Sequence, residues 1–320
     1  MPFHLWRGFF NIDFIIMNKL QKFGIGLEAE GFIMNNSGKP ISRINGRPAS
    51  AWVLSQLKER IPHVAGHITL ELASVFLEIR SSVHLELQQA VKEVLVIRFT
   101  INEILKACDG QLVFTPVSTL PFEFVASTDK PGSRAAELVS LWGKSKEGQE
   151  NLIASSIASL QVNDSRPFQN CRDEMEYLEK ARQVHNLCRV ELPKHRQILM
   201  TNKQDFRGKT RLENYTSMVE RVKRDQFEVR GFRVEEIVVP PKFSDILGMQ
   251  NWMCAHSNVS SFASTSAKNE HALTCKIKRH PWIVEVRYPD AVDTEDQMVK
   301  AVSAVEKILK PTYENEGSCS

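Results

Sequence analysis

Five glutamates fall in stretches that read as β-strand. In "FGIGLEAEGFIM", Phe23 to Met34, Glu28 and Glu30 are two residues apart and share one face of an extended chain. Glutamate is depleted in strands, so its recurrence there asks for a cause. Glu71 and Glu78 flank "LASVFL" within "HITLELASVFLEIRSS", and Glu285 lies in "IVEVR", two residues before Arg287. If these strands share a sheet, the carboxylates converge on one face. Carboxylates brought together and desolvated repel, and stay ionised only with a cation among them. No histidine or cysteine accompanies them. An all-oxygen set suits Mg²⁺ or Mn²⁺ rather than zinc, and Mg²⁺ on a few carboxylates usually completes its shell with water and nucleotide phosphates. A strand with one face in water accounts for the same spacing without any cation.

The elements that must position these residues can be read from periodicity. Phe23–Met34 is a strand, and "NNSGKPIS" is the turn after it. "SAWVLSQLKERI" is a short amphipathic helix with Ser50 as its expected N-cap. Between Leu85 and Ala107, Leu87, Ala90, Val91, Val94, Leu95, Ile97, Ile101, Ile104 and Leu105 recur at helical spacing. "GQLVFTPVS" and "SSIASLQVND" read as strands, and "CRDEMEYLEKARQVHNLCRVEL" as a helix ended by Pro193. "RLENYTSMVERVKRD" is a further helix and "WIVEVRYPD" a strand. In "TEDQMVKAVSAVEKILK", Thr294 and Gln297 form a capping box for the last helix. Strands and helices intermix without a βαβ rhythm, which predicts an α+β fold on a largely antiparallel sheet.

Composition narrows the function. At 320 residues and 42% hydrophobic, the chain can bury one large core. A net charge of +3, from 41 basic and 38 acidic residues, argues against nucleic acid as the partner, and "KRHPW" and "RVKRD" are too short to reverse that. Six cysteines with no C-x-x-C pair point to a reducing, cytoplasmic setting. No apolar run reaches the length of a membrane helix. The opening "MPFHLWRGFFNIDFII" holds Asp13 and no small-residue cleavage site, unlike a signal peptide. Residues 1–16, before Met17, are expected to be an extension, residues 17–310 one catalytic domain, and residues 311–320 a loose tail. Two nucleotide motifs fail on context. Gly24, Gly26 and Ala29 fit G-x-G-x-x-A, but the chain runs on as strand where a helix is required. Gly208-Lys209-Thr210 resembles the end of a P-loop, yet Lys203 occupies the position of its first glycine.

Taken in order, the motifs resemble those of the glutamate–cysteine ligase and carboxylate–amine ligase family, which shares the glutamine synthetase catalytic fold. "GIGLEAEGFIM" with "NNSGKP" is similar to that family's opening strand and turn, and "LELASVFLEIRSSVH" to its pair of glutamates seven apart. "GQLVFTPVSTLP" stands where the family has glycine-threonine-histidine-proline, and "HPWIVEVRYPDAVDTEDQMVKAVSAVEKIL" where it has a glutamate-x-arginine strand and closing helix. The resemblance spans Phe23 to Leu309 and implies a curved sheet lining an active-site cleft, with helices outside. It implies Glu28, Glu30, Glu78 and Glu285 as metal ligands, Glu71 beside the metals or substrate, and Arg287 on phosphate. Lys209 and Arg211 would serve phosphates and Arg207 a substrate carboxylate.

The departures bear on activity. "LQVND" places Gln161 and Asn163 where the family has imidazoles, and Thr115-Pro116-Val117-Ser118 replaces the second histidine motif. Amides still bind a metal or polar substrate through oxygen but do not titrate near neutral pH. The resemblance implies an ATP- and Mg²⁺-dependent (or Mn²⁺-dependent) ligase that joins an amino acid or other carboxylic acid to an amine through an acyl phosphate, with no nucleic acid or membrane partner. It leaves open a homo-oligomer. The alternatives are a guanidino-kinase-like phosphotransferase, or a weakened or non-catalytic nucleotide-binding relative.

Overall fold

The computed structural model describes residues 23–128, 132–224, 242, 244–255, 261–263, 275–278 and 282–314. The expected extension, residues 1–16, lies outside them.

The sheet is organised around its longest strand. β1 (Ile25–Asn35) runs eleven residues and serves three neighbours. Its first half pairs with β7 (Leu160–Asp164), its middle with β5 (Phe76–Arg80), and its end with β6 (Gly110–Val113). Phe32 is opposite both Phe76 and Val113, so β6 lies on the edge away from β5, end to end with β7. A small hairpin, β2 (Arg43–Ile44) and β3 (Arg47–Pro48), turns through Asn45 and Gly46, both at positive φ. β4 (Ile68–Leu70) lies outside β5, and β10 (Ile283–Val286), β9 (Cys275–Lys278) and β8 (Ser261–Ala263) extend the sheet beyond β7. Every pairing is antiparallel, and the sheet curls strongly into a half-barrel within an α+β architecture.

Alternation separates the two faces. Ile25, Leu27, Ala29 and Ile33 of β1 are buried on one side, in register with Leu160 and Val162 of β7 and with Ile79 of β5. Val284 and Val286 of β10 and Ile277 of β9 continue that surface. Each such side chain contributes roughly 1.5–3 kcal/mol on burial. The opposite face carries Glu28, Glu30, Glu78, Gln161, Asn163 and Glu285. An antiparallel sheet tolerates this, because only one of its faces must meet the core.

Helices cover the apolar face. α1 (Ala49–Arg60) packs beside α2 (Leu87–Leu105), whose buried Leu87, Ala90, Val91, Val94, Ile97, Ile101, Ile104 and Leu105 match the apolar periodicity and meet β1 and β6. Next come α3 (Arg134–Trp142), α4 (Lys146–Ala154) and α5 (Glu174–Glu191), which packs on β9. α6 (Arg211–Arg224) rests on α4, α7 (Ile246–Ala255) follows, and α8 (Glu295–Leu309) packs on α2 and α5. Thr294 Oγ1 accepts from Gln297 N at 3.3 Å, so the expected cap of α8 is present. No helix among the described residues is long and apolar enough to cross a membrane.

Ser50 does not cap α1. The helix starts at Ala49 after Pro48, and Ser50 is buried in the first turn, donating its N–H to Ser74 O at 2.9 Å. The helix opens two residues earlier than the serine signal suggests, with Pro48 at the cap position. Pro311–Glu314, the start of the expected tail, form a helical turn, with Arg166 over the Tyr313 ring at 4.9 Å.

Gly31 sits where β1 passes closest to its neighbours. A Cβ there would stand 2.9 Å from Phe114 Cδ1 and 2.9 Å from Val113 O, whereas a Cβ at Gly26 would meet nothing nearer than 3.6 Å. Gly31→Ala is expected to destabilise the protein by about 1–3 kcal/mol through overpacking, and Gly26→Ala by less than about 0.5 kcal/mol. Urea denaturation of both variants checks this; equal midpoints would contradict it.

Candidate functional site

Register brings the strand carboxylates together. Glu30 on β1 stands directly opposite Glu78 on β5, and Glu78 is also opposite Thr69 on β4. Glu71 follows the last residue of β4 and turns in to the same place. Glu30, Glu71 and Glu78 present carboxylate oxygens within 4.8 Å of one another. Glu28 lies between Arg80 on one side and Gln161 on the other. One step along, Asn163 on β7 is opposite Glu285 on β10.

The trio is held by donors. Glu30 Oε2 accepts from Ser159 N at 2.6 Å and Ser159 Oγ at 2.8 Å, and Oε1 accepts from Gln161 Nε2 at 2.9 Å. Hydrogen bonds to a charged group contribute about 1.5–3 kcal/mol each. They orient the carboxylate without neutralising it. Gln161 is 4% exposed, and its Oε1 has no hydrogen-bond partner among the described residues. That is a buried acceptor on the side chain that holds Glu30, and only a cation or a donor satisfies it.

The electrostatics divide the face in two. Burial, then the charges of Glu28, Glu71 and Glu30, push the Glu78 carboxyl up to about 8. Burial raises Glu30 as well, against the opposing pull of its Ser159 hydrogen bonds. Burial also raises Glu28, with Lys278 opposing. Glu285 goes the other way. Its side chain is 0% exposed, and burial alone would raise it, but Arg287 and Lys278 together hold it below the usual carboxylate range. Lys278 Nζ contacts a Glu285 carboxylate oxygen, lies 3.8 Å from Glu28 Oε1, and donates to Asn163 Oδ1 at 3.5 Å. Arg287 Nε donates to the other Glu285 oxygen.

Eight of the eleven site residues expected from the sequence share this face: Glu28, Glu30, Glu71, Glu78, Gln161, Asn163, Glu285 and Arg287. The other three have different engagements. Arg207 is paired with Asp205 at 2.7 Å and also donates to Asn214, and Lys209 Nζ is 3.9 Å from Glu150. Arg211 is 3% exposed and donates to Tyr288 O, Asp290 Oδ1 and Arg287 O, tying the start of α6 to the end of β10. Two contributors went unread in the sequence: Ser159, and Lys278, whose strand β9 was not anticipated. The signal for Lys278 was the alternation Cys275-Lys276-Ile277-Lys278.

The oxygen-only trio, with the unpaired Gln161 oxygen beside it, suits Mg²⁺ or Mn²⁺. A separate recess of about 450 Å³ lies between α4 and α6, lined by Lys146, Glu147, Glu150, Ser217, Glu220 and Arg221. It holds none of the strand carboxylates, and Glu150 and Arg221 pair within it, 3.3 Å apart.

No family model matches this sequence, and no curated protein does. Among solved structures, the chain is similar to a glutamate–cysteine ligase from Francisella tularensis in complex with AMP, at 13% identity and a TM-score of 0.37, over 52% of this chain and 34% of that one. It is also similar to a bifunctional glutathione synthetase from Pasteurella multocida, at 13% identity and a TM-score of 0.43, over 90% of this chain and 39% of that one. The chain thus spans between a third and two fifths of the length of these proteins. Likeness at this level assigns neither a fold family nor an activity.

The raised Glu78 carboxyl fixes a pH dependence for the metal-free protein. Its folded value, about 8, exceeds the ordinary 4.5, so the folded state holds the proton more tightly. The associated stability is fully present below the ordinary value and is lost as pH rises toward 8, at no more than about 1.4 kcal/mol per pH unit. Thermal melts in a chelator are expected to fall from pH 5 to pH 8, and Glu78→Gln to flatten that fall. Identical slopes in the two proteins would contradict it.

Proposed function

We propose that this chain is an ATP-dependent carboxylate–amine ligase of the glutamate–cysteine ligase kind, using Mg²⁺ or Mn²⁺ and joining a small carboxylic or amino acid to an amine. One observation carries the reading: Glu30 of β1, Glu78 of β5 and Glu71, just past the end of β4, bring their carboxylates together on the polar face of the sheet, and Arg287, just past β10, stands on the same face. The sequence motifs that resemble the family supply those same residues.

In this reading Glu30, Glu71 and Glu78 hold the divalent ion, which would supply charge neutralisation for a transferring phosphoryl group. Ser159 and Gln161 fix Glu30 in the orientation that keeps an oxygen directed at the site. The Arg287 side chain, 43% exposed, offers guanidinium N–H groups to anionic oxygens, and its bond to Glu285 restricts its rotamer. Arg211 holds the backbone that carries Arg287, so its role is positional. The proposed reaction attaches the γ-phosphoryl group to the substrate carboxylate with release of ADP. The amine then attacks the acyl carbon, phosphate leaves, and the amine gives up a proton. The chain's own part is to align the reactants and present fixed charge.

A second reading is a weakened or non-catalytic nucleotide-binding relative. The observation that favours it is the Lys278 ammonium seated between Glu28 and Glu285, which removes two carboxylates from metal binding.

The two separate in one assay. ADP release from Mg–ATP is measured with a mixed pool of amino acids and amines, and the products are weighed by mass spectrometry. The ligase reading expects Mg²⁺-dependent ADP with a new amide mass, and at least a hundredfold loss in Glu30→Gln. A phosphorylated amine without amide would replace it with the phosphotransferase reading. Nucleotide binding with no ADP above the Glu30→Gln background would support the second.

A further inference from the structure

The charged face carries five carboxylates but two kinds of surroundings. Glu30, Glu71 and Glu78 bring carboxylate oxygens within 4.8 Å of one another, with Arg80 Nε 3.9 Å from Glu78 at the edge of the group. Glu28 and Glu285 have a cation already. Lys278 reaches diagonally from β9, where it stands opposite Ile283, to Glu285 two residues further along β10. Three oxygens, from Glu28 on β1, Asn163 on β7 and Glu285 on β10, surround its Nζ. An ammonium has three N–H groups and no acceptor; Glu28, at 3.8 Å, is an ion-pair partner beyond hydrogen-bond reach, which leaves an N–H for a further anionic oxygen. Arg287 takes the remaining oxygen of Glu285. A divalent ion entering this socket would meet a positive charge at contact distance, and like charges that close in a partly desolvated place repel strongly.

We propose that Lys278 is a built-in cation that fills the Glu28–Asn163–Glu285 socket, so that the face binds a single divalent ion, at Glu30, Glu71 and Glu78, and presents the Lys278 ammonium beside it as a second, permanent positive charge for an anionic substrate. The trio does not stand on its acidic residues alone: the buried Gln161 oxygen without a partner points to a bound cation there independently. The proposal rests on the metal-binding part of the ligase reading, not on amide formation. The Lys278 side chain is 36% exposed, so a phosphate or carboxylate can reach it from solvent.

Mn²⁺ titrated into the chelator-stripped full chain, with free ion followed by electron paramagnetic resonance, counts the sites without reference to activity. The expected count is one per chain in the wild type, one in Lys278→Arg, and two in Lys278→Gln. Glu285→Gln is expected to keep a count of one, with affinity changed less than about threefold, while Glu78→Gln loses at least tenfold. The Glu285→Gln arm holds whether or not Lys278→Gln folds. A wild-type count of two, loss of the ion in Glu285→Gln, or a count of one in a folded Lys278→Gln would overturn the built-in cation while leaving the metal-dependent reading standing. A wild-type count of zero would overturn both.

Discussion

The pairing of β1 with β5 sets Glu30 opposite Glu78, two carboxylates facing each other across a ladder. Like charges in that position destabilise a sheet, and most folds avoid them. Here the register cannot slip to relieve them. A shift of one residue would bring Leu27, Ala29 and Ile79 out of the core and turn the glutamates into it. The apolar face under α2, α5 and α8 therefore enforces the repulsion on the other side. The structure around the pair answers it in two ways: the Ser159 and Gln161 hydrogen bonds to Glu30, and a proton held on Glu78.

The rest of the face follows from the same constraint. Glu28 and Glu285 would add to the repulsion if they were bare. Lys278 and Arg287 compensate them, from β9 and from the end of β10. Arg211, buried against the backbone of Arg287, Tyr288 and Asp290, steadies that end of the strand. Glu285 is in direct contact with two cations, while the oxygens of Glu30, Glu71 and Glu78 crowd within 4.8 Å of one another. In the same way Phe32 and Phe76, packed edge to face at 5.0 Å, close one end of the polar row with an apolar wall.

Much of this was legible in the sequence because it depends on short-range alternation. The period of two in Ile25-Gly26-Leu27-Glu28-Ala29-Glu30 gives both the strand and the shared face of the glutamates. The period of 3.6 in Leu87–Leu105 and in Glu295–Leu309 gives the helices beneath them. Which strands meet is long-range information, and there the reading thinned. Glu71 lies past the end of β4, so strand spacing did not say that it turns back to Glu78. Lys278 sat in a basic run that reads as solvated surface, and only the pairing of β9 with β10 brings it to Glu285. Arg207 and Arg211, from one basic stretch, and Arg287, from a strand, were all read as site arginines. Burial by α6 makes one structural, Asp205 engages another, and the strand leaves the third at the site. The helices Arg134–Trp142 and Lys146–Ala154 carried Ser133 and Ser145 as N-caps, signals that were present but short.

The central claim is that the polar face of this sheet holds a cation site built from Glu30, Glu71 and Glu78. Diffraction from crystals grown with Mn²⁺, recorded at the manganese absorption edge, tests it most directly. The account predicts one anomalous peak among the three carboxylates, close to the Gln161 oxygen, with Lys278 still seated between Glu28 and Glu285. No peak at the trio at millimolar Mn²⁺, with the three carboxylates paired instead to protein donors, would contradict it.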